Sequence, residues 1–203
     1  MSGNTATWSY IQELVTDKHK CDECNCDLVD SKDDPAEITV YTRAGTKFAQ
    51  HFHRECPNRW CRKAFYYGYT VKKEKKVYDD LNPETKYIIT SRETAFALDF
   101  CYETTLHILH NNATFQGLTD VYNQFHNFNG SNLSRIDLNR KRLATAFYLY
   151  GFLEFTSRSG IRHEFLAGAS WLENSILEYY NVIKSQFSYH WSSGHSCNLP
   201  NCK

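Results

Sequence analysis

Cys21-Asp22-Glu23-Cys24 and Cys56-Pro57-Asn58-Arg59-Trp60-Cys61 are the stretches that decide the fold. A tetrahedral zinc site takes four thiolate or imidazole ligands at about 2.0–2.3 Å, and two closely spaced pairs supply them. Each pair turns its backbone around the metal, and the chain between them brings the pairs together. The pattern predicts a zinc-ribbon or treble-clef-like arrangement with Zn2+ as its cofactor. A segment this short and polar has too little apolar surface to pack without metal. The competing readings are free reduced thiols and a redox CxxC. A redox motif belongs at a strand-to-helix turn in a βαβ unit, and no such context surrounds Cys21. The preferred ligands are Cys21, Cys24, Cys56 and Cys61. Cys26 can replace Cys24, and His51 or His53 can replace one of the later cysteines.

Outward from the cysteines, Glu37–Thr42 (EITVYT) alternates as a strand does, Arg43–Thr46 reads as a turn, and Lys47–Phe52 returns as a second strand. Ala64–Val71 (AFYYGYTV) reads as an aromatic strand and Tyr87–Thr90 as another. Before the cysteines, Trp8, Ile11, Leu14 and Val15 fall on one face of a short helix capped by Asn4 or Thr5. Thr90-Ser91-Arg92-Glu93 fits a capping box, so a helix is expected from there to about His110, with Phe96, Phe100, Leu106 and Leu109 in the core. Thr114 opens a second helix to about His126, and Asn127–Ser134 is a polar loop. A third helix spans about Asp137–Phe155, with Leu143, Phe147, Tyr150 and Leu153 at helical spacing. A fourth covers about Gly168–Phe187, with Trp171, Leu172, Ile176, Tyr179 and Ile183. The expected class is α+β: a small β-rich zinc-binding module, then an all-helical part. Its divisions are 1–80 for the zinc module with its N-terminal helix, 81–188 for the helical domain, and 189–203 for a tail.

The 203 residues are 41% hydrophobic and 15% aromatic, enough for a core and against wholesale disorder. No run approaches the roughly 18 apolar residues of a membrane helix. Met1–Tyr10 is polar and uncharged, so no secretory signal is expected. The sequons at Asn112, Asn129 and Asn132 are then chance matches, and clustered cysteines favour metal over disulfides.

The 23 basic and 23 acidic residues cancel in total but not locally. Residues 1–40 carry 3 basic and 9 acidic side chains, and residues 41–76 carry 10 basic and 2 acidic ones. Arg54, Arg59, Arg62 and Lys63 flank the second cysteine pair, and Lys72, Lys73, Lys75 and Lys76 follow the aromatic strand. Tyr66, Tyr67 and Tyr69 interleave with them. Cations neutralise phosphates and aromatic rings stack on exposed bases, so the segment is a candidate nucleic-acid surface. The competing reading is that the acidic and basic stretches neutralise each other in the fold. Arg140-Lys141-Arg142 is a second, weaker basic patch.

Other constellations carry less. His107 and His110 share a helix face near Glu103, but no HExxH is present. Cys101 reads as a buried small hydrophobe. Asp99, Glu103, Asp120 and Asp137 have the spacing of solvated helix faces, and no GxSxG, GxxxxGK[ST] or GxGxxG occurs. No catalytic set is read. In the tail, His195, Cys197 and Cys202 form a partial second cluster, whose fourth ligand can come from Cys101, another chain or further sequence.

The order CDECNCDL, VYTRAG, HRECPNRWCRKAFYYGY, YIITSRETAF, DVYNQFH and LNRKRLATAFYLYGFLE resembles the cysteine-cluster regions associated with KDZ transposases, over roughly Cys21–Glu154. The tail GHSCNLPNC is similar to the start of a second cluster in such proteins. The resemblance implies a zinc-chelating module beside a transposase with an RNase H-like catalytic domain. It carries over to Cys21, Cys24, Cys56 and Cys61, and to His195, Cys197 and Cys202. The expected function is non-catalytic recognition in a transposon-derived nuclear protein, with DNA as partner. A zinc-held protein-interaction scaffold that docks a partner or a second copy is the alternative. A fragment of a transposase with its catalytic acids beyond Lys203 is another. Neither a membrane nor a small-molecule substrate is expected.

Overall fold

A computed structural model describes residues 10–128, 136–160 and 164–166. All of these lie within Met1–Ala167, the first of two compact units. The helix expected over 168–187 and the cluster of His195, Cys197 and Cys202 fall outside the described residues.

The fold is α+β. A five-stranded mixed sheet has the order β1 (Tyr10–Leu14), β4 (Gly45–His51), β3 (Ala36–Thr42), β10 (Thr94–Ala97), β9 (Tyr87–Ser91). A six-stranded antiparallel sheet has the order β11 (Glu164–Leu166), β8 (Lys75–Tyr78), β7 (Tyr69–Lys72), β6 (Ala64–Tyr66), β5 (His53–Glu55), β2 (Val29–Asp30). Only Phe52 separates β4 from β5, so one run of chain passes from the first sheet into the second. Its N–H is held by the Leu14 carbonyl at 2.9 Å.

The hairpin β3–β4 forms where the alternation placed it. Thr42 Oγ1 accepts from Ala44 N–H at 3.2 Å and donates to the Gly45 carbonyl at 2.8 Å, closing the turn. Strands β3 and β10 are buried on both faces, because the first sheet is covered twice. Ile38, Val40, Ala49, Ile89 and Ala95 pack with Tyr69 of the second sheet, and Tyr66 and Tyr78 lie against them. On the other face, Tyr41 meets Phe96 at 5.0 Å, and Phe100 meets Tyr122 of the helical layer at 5.1 Å.

That layer holds α1 (Leu98–Asn111), α2 (Phe115–Phe128) and α3 (Arg140–Ser159). Thr114 caps α2 through Gly117 N–H at 3.0 Å. Asn139 caps α3 through Arg142 N–H at 3.0 Å, two residues past the expected start. No helix among the described residues is long and apolar enough to cross a membrane.

Several expectations are corrected. Residues 10–14, read as the end of a helix, form β1 parallel to β4. Thr90–Glu93, read as a capping box, is the end of β9 and its turn into β10. Ser91 Oγ accepts from Glu93 N–H at 3.2 Å, the turn form of the hydrogen bond a cap would make. Phe96 is therefore a core strand residue, and α1 starts at Leu98. Leu106 and Leu109 are exposed, while Cys101 and Thr104 form the buried face of α1. Ala64–Val71 is a hairpin rather than one strand, turning at Gly68 with φ 71°. Beyond the strand expected at Tyr87–Thr90, the sequence after residue 80 thus adds β10 and β11 to its helices.

Candidate metal centre

Each cysteine pair rides on a loop closed by antiparallel backbone pairing. The first sits in the loop closed by the antiparallel bridge Lys20–Asp27, with Cys21 N–H bonded to the Cys26 carbonyl and Asn25 N–H to the Cys21 carbonyl, both at 2.9 Å. The second joins β5 to β6, and Cys56 N–H bonds the Lys63 carbonyl at 2.9 Å across its base. Asn58 shapes that loop. Its carbonyl accepts from Cys61 and Arg62 N–H at 2.9 and 3.0 Å, and its side chain accepts from Trp60 N–H at 3.0 Å. In both loops the residue after the second cysteine is left-handed, Asn25 at φ 57° and Arg62 at φ 48°.

These turns converge. The sulfurs of Cys21, Cys24, Cys56 and Cys61 all lie within 4.8 Å of one another, with Cys21–Cys61 at 3.6 Å and Cys24–Cys56 at 3.3 Å. Four sulfurs about 2.3 Å from one metal ion at tetrahedral angles stand about 3.8 Å apart. A disulfide would bring two sulfurs to about 2.05 Å. The donor set therefore fits a metal ion and not a pair of bridges. Cys26 stands outside the group, its Sγ 3.8 Å from the Cys24 carbonyl. His51 is buried against Tyr66 and Tyr69, and His53 stacks on Tyr66 at 4.8 Å.

The thiols are not equivalent. The backbone N–H of Cys26, then the Cys56 thiol, holds Cys24 down to about 6. Burial pushes Cys56 up to about 12 and raises Cys61. A metal entering here must displace protons from the buried thiols, so its affinity rises with pH. The acidic residues between the first two cysteines are answered by the basic segment. Lys63 Nζ reaches both Asp22 carboxylate oxygens at 2.8 Å, and Lys72 pairs with Glu23. Lys72 beside Glu23 holds that carboxyl below its usual range.

The other cations divide in the same way. Arg54 Nε bonds Asp30 at 3.0 Å, and its guanidinium also donates to the Lys18 carbonyl at 3.0 Å, clamping the chain before the first loop. Lys75 pairs with Glu164 at 2.5 Å. Lys76 is only 7% exposed, with its ammonium 3.7 Å from the Tyr69 ring centre and 4.3 Å from that of Tyr78. Arg59, Arg62 and Lys73 are exposed and form no ion pair among the described residues. Arg142 binds the Tyr41 hydroxyl at 2.9 Å, while Arg140 and Lys141 are exposed.

The interleaved tyrosines are structural. Tyr66 stacks between His53 and Tyr69, Tyr69 is buried, and the Tyr67 hydroxyl accepts from Lys86 and Tyr87 N–H at 3.1 and 3.4 Å. The exposed ring is Trp60, 80% accessible in the second cysteine loop. Its signal lay in its position: a side chain between two ligands of one metal belongs to a loop too tight to fold over it.

The chain matches the family described as "CxC5 like cysteine cluster associated with KDZ transposases" over residues 9–126. No curated protein and no solved structure matches it. With more than half of the chain inside that match, and with four cysteines gathered about one point, this protein belongs to the CxC5-like cysteine-cluster family associated with KDZ transposases.

Proposed function

We propose that the chain is a zinc-stabilised, non-catalytic recognition module of a transposon-derived protein, that it acts in the nucleus, and that it binds DNA. The convergence of Cys21, Cys24, Cys56 and Cys61 carries this reading. Four thiolates in a tetrahedral spacing suit zinc, and two facing cysteine loops, one of them joining β5 to β6, are the parts of a zinc ribbon. DNA is favoured because the second loop presents Arg59 and Arg62, with Lys73 on the β7–β8 turn. That turn lies beside the site, since Lys72 reaches Glu23.

The ion pairs set the scale of the contact. Arg54, Lys63, Lys72 and Lys75 are engaged and Lys76 is buried, which leaves Arg59, Arg62 and Lys73 for phosphates. Neutralising about three phosphates gives a slope of log affinity against log salt of roughly −2 to −3, far shallower than the full run of basic residues would give. The test is elemental analysis of the purified chain followed by DNA titration at several salt concentrations. About one zinc per chain and a slope in that range are expected. A well-folded chain without metal overturns the zinc reading, and a zinc-loaded chain that ignores DNA overturns the DNA reading. Nuclease or strand-transfer activity of this chain would overturn the non-catalytic role.

A protein-interaction scaffold is the second reading. It is favoured by Val121, Phe125 and Phe128, which line one exposed side of α2 at helical spacing. Salt-insensitive self-association would support it.

A further inference from the structure

We propose that Trp60 is a stacking platform for an unpaired nucleobase, and that Arg59 and Arg62 hold the adjoining phosphates, so that the second cysteine loop recognises single-stranded nucleic acid. The proposal rests on the nucleic-acid reading above and narrows it to one strand.

Three observations converge on this loop. Its indole is 80% exposed, a large apolar area left in water. The loop cannot fold over it, because Cys56 and Cys61 are tied to the sulfur cluster and Asn58 fixes the backbone through Trp60, Cys61 and Arg62 N–H. The backbone that carries the ring is thus held in place, and little backbone ordering is left to be done on binding. Thirdly, the Arg59 guanidinium lies 5.0 Å from the ring centre, and Arg62 follows on the exposed side of the loop. Asp22 and Glu23 of the facing loop are already paired with Lys63 and Lys72.

A flat π face flanked by guanidinium groups that form no ion pair among the described residues matches a base with its phosphates. In a duplex both faces of each base are already covered by neighbours, so this ring gains only from an unpaired one.

The test uses the full, zinc-loaded chain and fluorescence anisotropy with labelled oligothymidylate and oligouridylate of about 20 nucleotides, longer than a typical single-strand site. A duplex of matched length is the comparison. Single strands should bind more tightly than the duplex. Trp60→Ala should weaken single-strand binding about 10- to 100-fold with metal content unchanged. Trp60→Phe should keep most of it, and Arg59→Gln with Arg62→Gln should lower both affinity and salt slope. Tighter binding of the deoxy or the ribo strand supports the proposal and identifies the natural source. Trp60→Ala binding like the parent overturns the stacking role but leaves DNA binding intact, as does a duplex preference insensitive to Trp60. Failure to bind any strand overturns both readings. Trp60-dependent, salt-insensitive self-association would make the loop a protein contact and overturn the proposal.

Discussion

Lys76 shows how much one residue's surroundings decide. Its neighbours Lys73 and Lys75 are exposed, yet its ammonium is enclosed by Tyr69 and Tyr78 with His51 nearby. Burial draws Lys76 down to about 7 from 10.5, and burial, then Lys76 and His53, draws His51 down to about 4. Between pH 7 and 10.5 the unfolded chain holds a proton at Lys76 that the folded chain lacks, so stability rises with pH in that window. Denaturant unfolding of the parent and Lys76→Met at pH 7 and 9 should show the parent gaining on the variant by up to roughly 1.4 kcal/mol per pH unit. The cysteines and their metal are common to both proteins and cancel. A parallel substitution series separates ligands from bystanders. Cys56→Ser should abolish stoichiometric metal, whereas Cys26→Ser and Cys101→Ser should retain it by elemental analysis. The Cys26 sulfur lies outside the cluster and Cys101 is packed in α1.

At the scale of elements, the turns carry the testable chemistry. The two-residue loop between β7 and β8 puts Lys73 at φ 48° and Glu74 at φ 64°, a conformation that favours Asn-Gly. Glu74→Gly should raise the urea midpoint of the metal-loaded chain, a gain of roughly 1 kcal/mol from relieved left-handed strain. Other elements differ in how readable they were. The cysteine loops, β3–β4, α2 and α3 rest on short-range patterns: ligand spacing, alternation, a capping threonine, helical spacing. The sequence displays these directly. Strand β1 does not, because Ile11, Leu14 and Val15 fit a helix face as well as a strand, and only the non-local pairing with β4 decides between them. The run Thr90-Ser91-Arg92-Glu93 likewise serves a capping box or a strand turn. The outcome was set by β10, whose Ala95 and Phe96 fill both covered faces of the first sheet. The pairing of Lys63 and Lys72 with Asp22 and Glu23 depends on which loops face each other, and that too is non-local.

At the scale of the whole molecule, two of the apolar clusters among the described residues differ in strength. One spans both sheets through Ile38, Val40, Ile89, Ala95 and Tyr69; the other is little more than Phe65 with Cys21, Cys56 and Cys61. With so little apolar surface, the second would depend on a metal ion held by its cysteines in a way the first does not. Chelation should therefore strip amide exchange protection from 20–27 and 56–63 while the strands of the first sheet stay protected. Simultaneous loss everywhere would show that the metal holds the entire fold.

The order of segments along the chain also matters during synthesis. All four sulfur ligands, and the lysines that answer Asp22 and Glu23, are encoded before β9 and β10. Strand β10, between β3 and β9 of the first sheet, thus leaves the ribosome after every part of the sulfur cluster is already outside. A chain growing from its N-terminus can close around an ion while its main sheet still lacks β10. Metal supply to the nascent chain, more than to the finished protein, then governs how long those thiols stay exposed to oxidation and mispairing.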